Sequence, residues 1–213
     1  AARAPRALRH HATVHAQRRK RQLTMIETGL EQLPSRRTSR RIRVGDVTVG
    51  GDAPVRVQSM CSTDTRDVAA TRAQIERLEA AGCEMVRVAV PDMEAAAVLP
   101  ELKRTMQTPL IADIHFNYRI ALAALDAGVD KVRINPGNVG SNDRVKQVVR
   151  AAEATGAAIR IGVNSGSLEK DLLEKHGYPS AAALAESATR HLAFVRDLGF
   201  SNVISSIKAT HVP

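Results

Sequence analysis

The 213 residues suffice for one domain with a substantial core. The formal charge of +9 suggests a nucleic-acid binder until it is placed along the chain: residues 1–43 hold twelve Lys and Arg against Glu27 and Glu31, so this segment carries +10 and the other 170 residues sum to about −1. Cys61 and Cys83 are too far apart for a metal knuckle and form no C-x-x-C, and no apolar run approaches the ~18 residues of a membrane span. The expectation is a cytoplasmic protein with no metal site and no membrane or nucleic-acid partner.

Residues 1–39 read as a basic, disordered extension, and residues 40–213 as the folded domain. The first 24 residues contain no acid, no aromatic side chain to stack on bases and no serine, and Met25 is the expected natural start. A competing reading gives the extension an RNA-binding, membrane-surface or targeting role.

From residue 45 onward, short β-branched runs alternate with helical patterns, the signature of βαβ units around a parallel sheet. The predicted strands are Val55–Met60, Met85–Val90, Leu110–Ile114, Lys131–Asn135, Ala158–Val163 and Val203–Lys208. Asp67 opens the first helix, which closes at Gly82; Pro100 interrupts a second pattern over Met93–Met106 and starts a new turn. Asn117 opens a helix ending at Gly128, Ser141 or Asp143 opens one ending at Gly156, and Ser180 opens the longest, ending at Gly199. Leu168–Tyr178 adds a short charged helix, read as a lid or edge of a pocket.

A faint internal repeat places Arg87 five residues after Gly82, Arg133 five after Gly128 and Arg160 four after Gly156. Equivalent units on one template favour a barrel over an open doubly wound sheet, and no G-x-G-x-x-G turn follows the first strand. The predicted class is therefore α/β, a TIM-type (β/α) barrel, incomplete at about six of eight βα units.

Strand alternation puts Arg133 and Asn135 on one face, as it does Arg160, Gly162 and Asn164, and Asp113 with His115. A guanidinium inside a barrel is costly to desolvate unless an anion meets it. Arg87, Arg133 and Arg160 at comparable heights, joined by Lys208 at the last strand's end, would together suit a diphosphate. Each arginine taken singly is as well explained by a salt bridge to a neighbouring strand. The Asn135–Asn138 and Asn164–Ser167 turns offer amides to an anion or are plain βα turns. Asp113 and His115 are candidates for proton transfer, or form a structural hydrogen bond.

The stretches Val57–Met60 (VQSM), Ala112–Phe116 (ADIHF), Val132–Asn138 (VRINPGN) and Ile159–Lys170 (IRIGVNSGSLEK) resemble the barrel domain of the 4-hydroxy-3-methylbut-2-en-1-yl diphosphate synthase family, from about Arg40 to about Thr210. The resemblance implies an oxidoreductase of the methylerythritol phosphate route to isoprenoids. It would open and dehydroxylate 2-C-methyl-D-erythritol 2,4-cyclodiphosphate with two electrons from ferredoxin or flavodoxin, through a four-iron four-sulfur cluster, as a homodimer when full length. It implies diphosphate contacts at Arg87, Arg133, Arg160 and Lys208, with Asp113, His115, Asn135 and Asn164 around them. The family's cluster cysteines belong to a second, C-terminal domain whose motifs are absent from these 213 residues, so this chain by itself is expected to be inactive. Competing readings are a redox-free, dihydropteroate-synthase-like transferase and a non-catalytic fragment.

Removing residues 1–24 is expected to leave RNA affinity unchanged, measured by filter binding across a salt series; loss of a steep salt-dependent component would instead give the extension a nucleic-acid role.

Overall fold

The computed structural model describes residues 38–208. The chain divides into two units, Ala1–Thr38 and Ser39–Pro213, and the described strands and helices all belong to the second. The expected basic extension, including Met25, lies almost wholly outside the described residues.

Two three-residue strands, β1 (Ile42–Val44) and β2 (Val47–Val49), pair antiparallel across a Gly45-Asp46 turn. Gly45 takes a φ of +58°, and a Cβ there would come within 2.8 Å of Asp130 Oδ1. This hairpin went unread in the sequence, although Gly-Asp between alternating β-branched residues is a recognised hairpin signal. Its strands are short and sit among the arginines that mark the basic extension.

Six strands then pair in strict chain order into one parallel sheet: β3 (Gln58–Met60), β4 (Met85–Ala89), β5 (Leu110–Asp113), β6 (Lys131–Ile134), β7 (Ala158–Asn164) and β8 (Val203–Lys208). Each falls within one residue of its predicted segment, except that pairing over the first begins only at Gln58. Val55 and Val57, read as strand, are exposed.

The connecting helices are α1 (Val68–Ala80), α2 (Met93–Ala97), α3 (Leu99–Thr105), α4 (Tyr118–Asp126), α5 (Pro136–Val139), α6 (Asn142–Thr155), α7 (Lys170–His176) and α8 (Ala181–Asp197). Asp67, Asn117 and Ser180 cap as expected, accepting from the amides of Ala70, Arg119 and Ala183 at 3.0 to 3.1 Å. Ser141 holds the N-cap position of α6, while Asp143 lies in its first turn. Pro100 divides α2 from α3 because it has no amide to donate to the preceding turn.

Alternation along the strands creates two apolar clusters. Outward residues such as Val86, Val88, Leu110, Ala112, Val132, Ile134, Ile159 and Ile161 pack beneath the helices. Inward Met85, Ile111 and Ala158 instead join Ile42 and Val44 of the hairpin, with Val47, Val49 and Ile204 around them. The hairpin thus seals a floor beneath the sheet's concave face. Lys131 of β6 reaches Gln58 of β3, three strands away, so the sheet curls as a barrel wall does. Among the described residues, β3 and β8 each pair on one side only.

Val44 is fully buried in the floor cluster. Val44→Ala should lower stability by about 2 kcal/mol, seen in urea as a lower midpoint at unchanged slope.

Candidate anion-binding site

Above the apolar floor, the same inward positions become charged. Register aligns Asp113 with Arg133 and Arg133 with Arg160 across β5, β6 and β7. Arg87 aligns with Ile111, two residues lower than Asp113, so it reaches upward rather than lying level with the other two arginines.

Three side chains meet at Asp113, a carboxylate only 2% exposed. Arg87 Nη2 pairs with Asp113 Oδ2, Arg133 Nη1 with Oδ1 at 3.2 Å, and His115 Nε2 lies 3.4 Å from Oδ2. Arg160 Nη2 donates to Ser206 Oγ at 2.6 Å. Burial, then the charges of Arg87 and Arg133, push the Arg160 guanidinium below its ordinary range, with Asp113 opposing. Arg87 Nε is buried and has no hydrogen-bond partner among the described residues. A cationic cluster with one carboxylate and an unsatisfied donor is costly when empty and is relieved by an anion.

Lys131, one inward step below Arg133, escaped the sequence reading. It is 2% exposed, and its Nζ lies 3.4 Å from Gln58 Oε1. Burial, then Arg160 and Arg87, push its ammonium pKa down to about 8. The alternation that paired Arg133 with Asn135, extended one step toward the N-terminus, would have found it.

The two expected loops are locked together. Buried Asn135 donates from Nδ2 to Ser167 Oγ, and Ser167 Oγ lies 3.2 Å from both Asn164 O and Asn164 Oδ1. Asn164 Oδ1 also accepts from the Gly166 amide at 3.0 Å, capping the 3-10 turn Ser165–Ser167. A Cβ on Gly137 would approach the Ser167 carbonyl oxygen to 2.8 Å, so only glycine permits this contact. Asn135 and Asn164 thus spend much of their hydrogen bonding on loop shape. Lys208 is exposed and registers with Asn164, four residues beyond the Ile204 that faces Arg160, so it stands at the rim. The short charged helix expected over Leu168–Tyr178 is α7, tied to α8 by Lys175–Glu186 and Arg190–Asp171.

Among the described residues, no three His, Cys, Asp or Glu side chains gather as metal ligands. Cys61 and Cys83 are both buried, and burial, with Cys83 second, pushes the Cys61 thiol up to about 11. Iron–sulfur ligation needs several thiolates, so these residues do not fit a cluster.

Asp113→Asn would leave the partly buried guanidiniums of Arg87 and Arg133 without their carboxylate, at a cost of about 2–3 kcal/mol in chemical denaturation, part of which added diphosphate should restore. A Cβ at position 162 would lie 2.6 Å from Arg133 Nε. Gly162→Ala should therefore keep the fold while displacing that guanidinium, giving near wild-type melting with weakened anion binding in calorimetry.

Among solved structures, the dihydropteroate synthases of Yersinia pestis (TM-score 0.53, 15% identity, 78% of this chain and 61% of that one) and Vibrio fischeri ES114 (TM-score 0.54, 12% identity, 78% and 66%) share the fold alone. Among the helices of the described residues, none is long and apolar enough to cross a membrane. Curated relatives named 4-hydroxy-3-methylbut-2-en-1-yl diphosphate synthase (flavodoxin) match far more closely in sequence. That of Ectopseudomonas mendocina (strain ymp) is 59% identical over 177 residues, covering 83% of this chain and 48% of the relative. That of Lysinibacillus sphaericus (strain C3-41) is 52% identical over 183 residues, covering 86% and 49%. The chain spans about half the length of the curated relatives it matches. The resemblance read from the sequence motifs is borne out, as is the barrel class: residues 39–213 match the GcpE TIM-barrel domain, and the chain belongs to that family.

Proposed function

We propose that residues 40–213 form the diphosphate-binding barrel of a 4-hydroxy-3-methylbut-2-en-1-yl diphosphate synthase, and that the barrel holds 2-C-methyl-D-erythritol 2,4-cyclodiphosphate for reductive ring opening. The observation that carries this reading is the pairing of Arg87 and Arg133 with the buried Asp113 carboxylate, with the Arg160 guanidinium close enough to feel all three charges.

Each guanidinium offers five N–H groups in a rigid fork. Asp113 engages Arg87 and Arg133 through one terminal nitrogen each, which orients the forks and leaves further donors for phosphate oxygens. Arg160 adds a third fork, held by a neutral serine hydroxyl rather than by an acid. Lys208 supplies a compact charge from the rim. Asn135 and Asn164 set the loops at the strand ends, where barrel enzymes bind their substrates. His115, about half exposed, has Nε2 held beside the Asp113 carboxylate, a placement suited to passing a proton to a substrate oxygen.

The sequence resemblance implies that the reductive half belongs to a C-terminal domain with a four-iron four-sulfur cluster; the described residues offer no ligand set for one. The relatives' names support flavodoxin as the electron donor.

Calorimetric titration with the cyclodiphosphate, run beside a pterin diphosphate, tests the reading. The cyclodiphosphate should bind more tightly, and Arg160→Met should weaken it about 100-fold, the loss of a charge-assisted pair worth ~3 kcal/mol. Preference for the pterin diphosphate, or unchanged affinity in Arg160→Met, would overturn it.

A further inference from the structure

The floor of the barrel holds a lysine that the sequence resemblance does not count among the ligand contacts and that, among the described residues, pairs with no carboxylate. Lys131 begins β6, registers with Ile111 on one side and Ala158 on the other, and lies two residues below Arg133 on the same face. Both register neighbours belong to the apolar floor cluster, so the ammonium sits where water is excluded. Its hydrogen-bond partner among the described residues is the neutral amide oxygen of Gln58, at a long 3.4 Å.

The charged groups of the interior are Arg87 from β4, Asp113 from β5, Arg133 from β6 itself and Arg160 from β7, with Lys208 at the rim of β8. From β3 the facing group is uncharged Gln58. The hairpin contributes apolar Ile42, Val44, Val47 and Val49 to the floor. Asp113 is already shared by two guanidiniums and His115. Lys131 therefore feels mainly like charge.

Guanidiniums cannot shed a proton to relieve this crowding, whereas an ammonium can. We propose that Lys131 is the charge regulator of the anion site, releasing its proton from the empty barrel in the alkaline range and taking one up there when a polyphosphate fills it. This rests on the reading of the barrel as an anion site and adds a positioning role beneath it: Lys131 does not touch the ligand but sets the field that the ligand enters.

The direction comes from linkage. In the empty barrel, burial and the two arginines hold the Lys131 pKa at about 8. Negative charge delivered among Arg87, Arg133 and Arg160 favours the ammonium and raises that pKa. A protein that must take up a proton to bind loses affinity as pH rises from the free pKa toward the bound one.

Trimetaphosphate is a suitable probe, because its ring phosphates remain fully ionised throughout the range and its own titration adds no slope. Its affinity for the full chain should fall about tenfold from pH about 7.5 to about 9.5, a window above the ordinary histidine range. Calorimetry in buffers of different ionisation enthalpy near the top of that window should register uptake of close to one proton. Lys131→Met should bind more weakly at the lower pH and show neither the slope nor the uptake. Lys131→Arg, charged throughout, should bind with no slope.

A merely structural lysine would not move the proton count. Should Lys131→Met fail to fold, the wild-type proton count and Lys131→Arg still decide the matter. Wild-type binding without slope or uptake, or a slope that persists in Lys131→Arg, would overturn the role of Lys131 and leave the anion site standing. Absence of trimetaphosphate binding at every pH would overturn both.

Discussion

One carboxylate organises this barrel. Asp113 is buried among Arg87, Arg133 and His115, and without it the guanidiniums would repel one another in a region only partly open to water. A single acid does not neutralise so many cations. The interior is held together yet left short of negative charge, which the proposed anionic ligand would supply. On that reading, stability and recognition draw on the same imbalance.

The architecture divides polar from apolar along each strand. Outward residues build the core beneath the helices, and the lowest inward residues build the floor closed by the hairpin. Asp113, Arg133 and Arg160 occupy the next inward level, with Arg87 and Lys131 a step lower, and two mutually bonded loops form the rim. Glycine governs the closest approaches. Gly162 leaves room for the Arg133 guanidinium and Gly137 lets the two rim loops touch, so their missing side chains shape the site as much as the charged ones do.

Much of this was legible in the residues. Helix caps and closing glycines marked the units, because capping is a local hydrogen-bonding problem solved within a few residues. The arginine repeat exposed the equivalence of β4, β6 and β7. The hairpin was harder to read, since strands of three residues carry little periodicity and gain their stability from the floor they cover. A lysine at a strand's start, next to Asp130, has the local pattern of a solvated surface pair, and nothing contiguous in the chain marks Lys131 as buried. Asp130 instead serves Lys103 and the Leu110 amide on the other side.

By itself, the sequence determined the class of fold, the order of its units, the identity of the charged positions and the family to which they belong. All of these depend on local pattern or on motifs contiguous in the chain. Tertiary structure decided the rest: that Arg87 lies a step below its counterparts, that Asn135 and Asn164 hold loops, that Lys208 stands at the rim, and that Lys131 faces two arginines across the floor. Those relations depend on register and curl, which bring residues distant in the chain within a few ångströms of one another. Strand alternation says which face a side chain takes; only the curled wall says what it meets there.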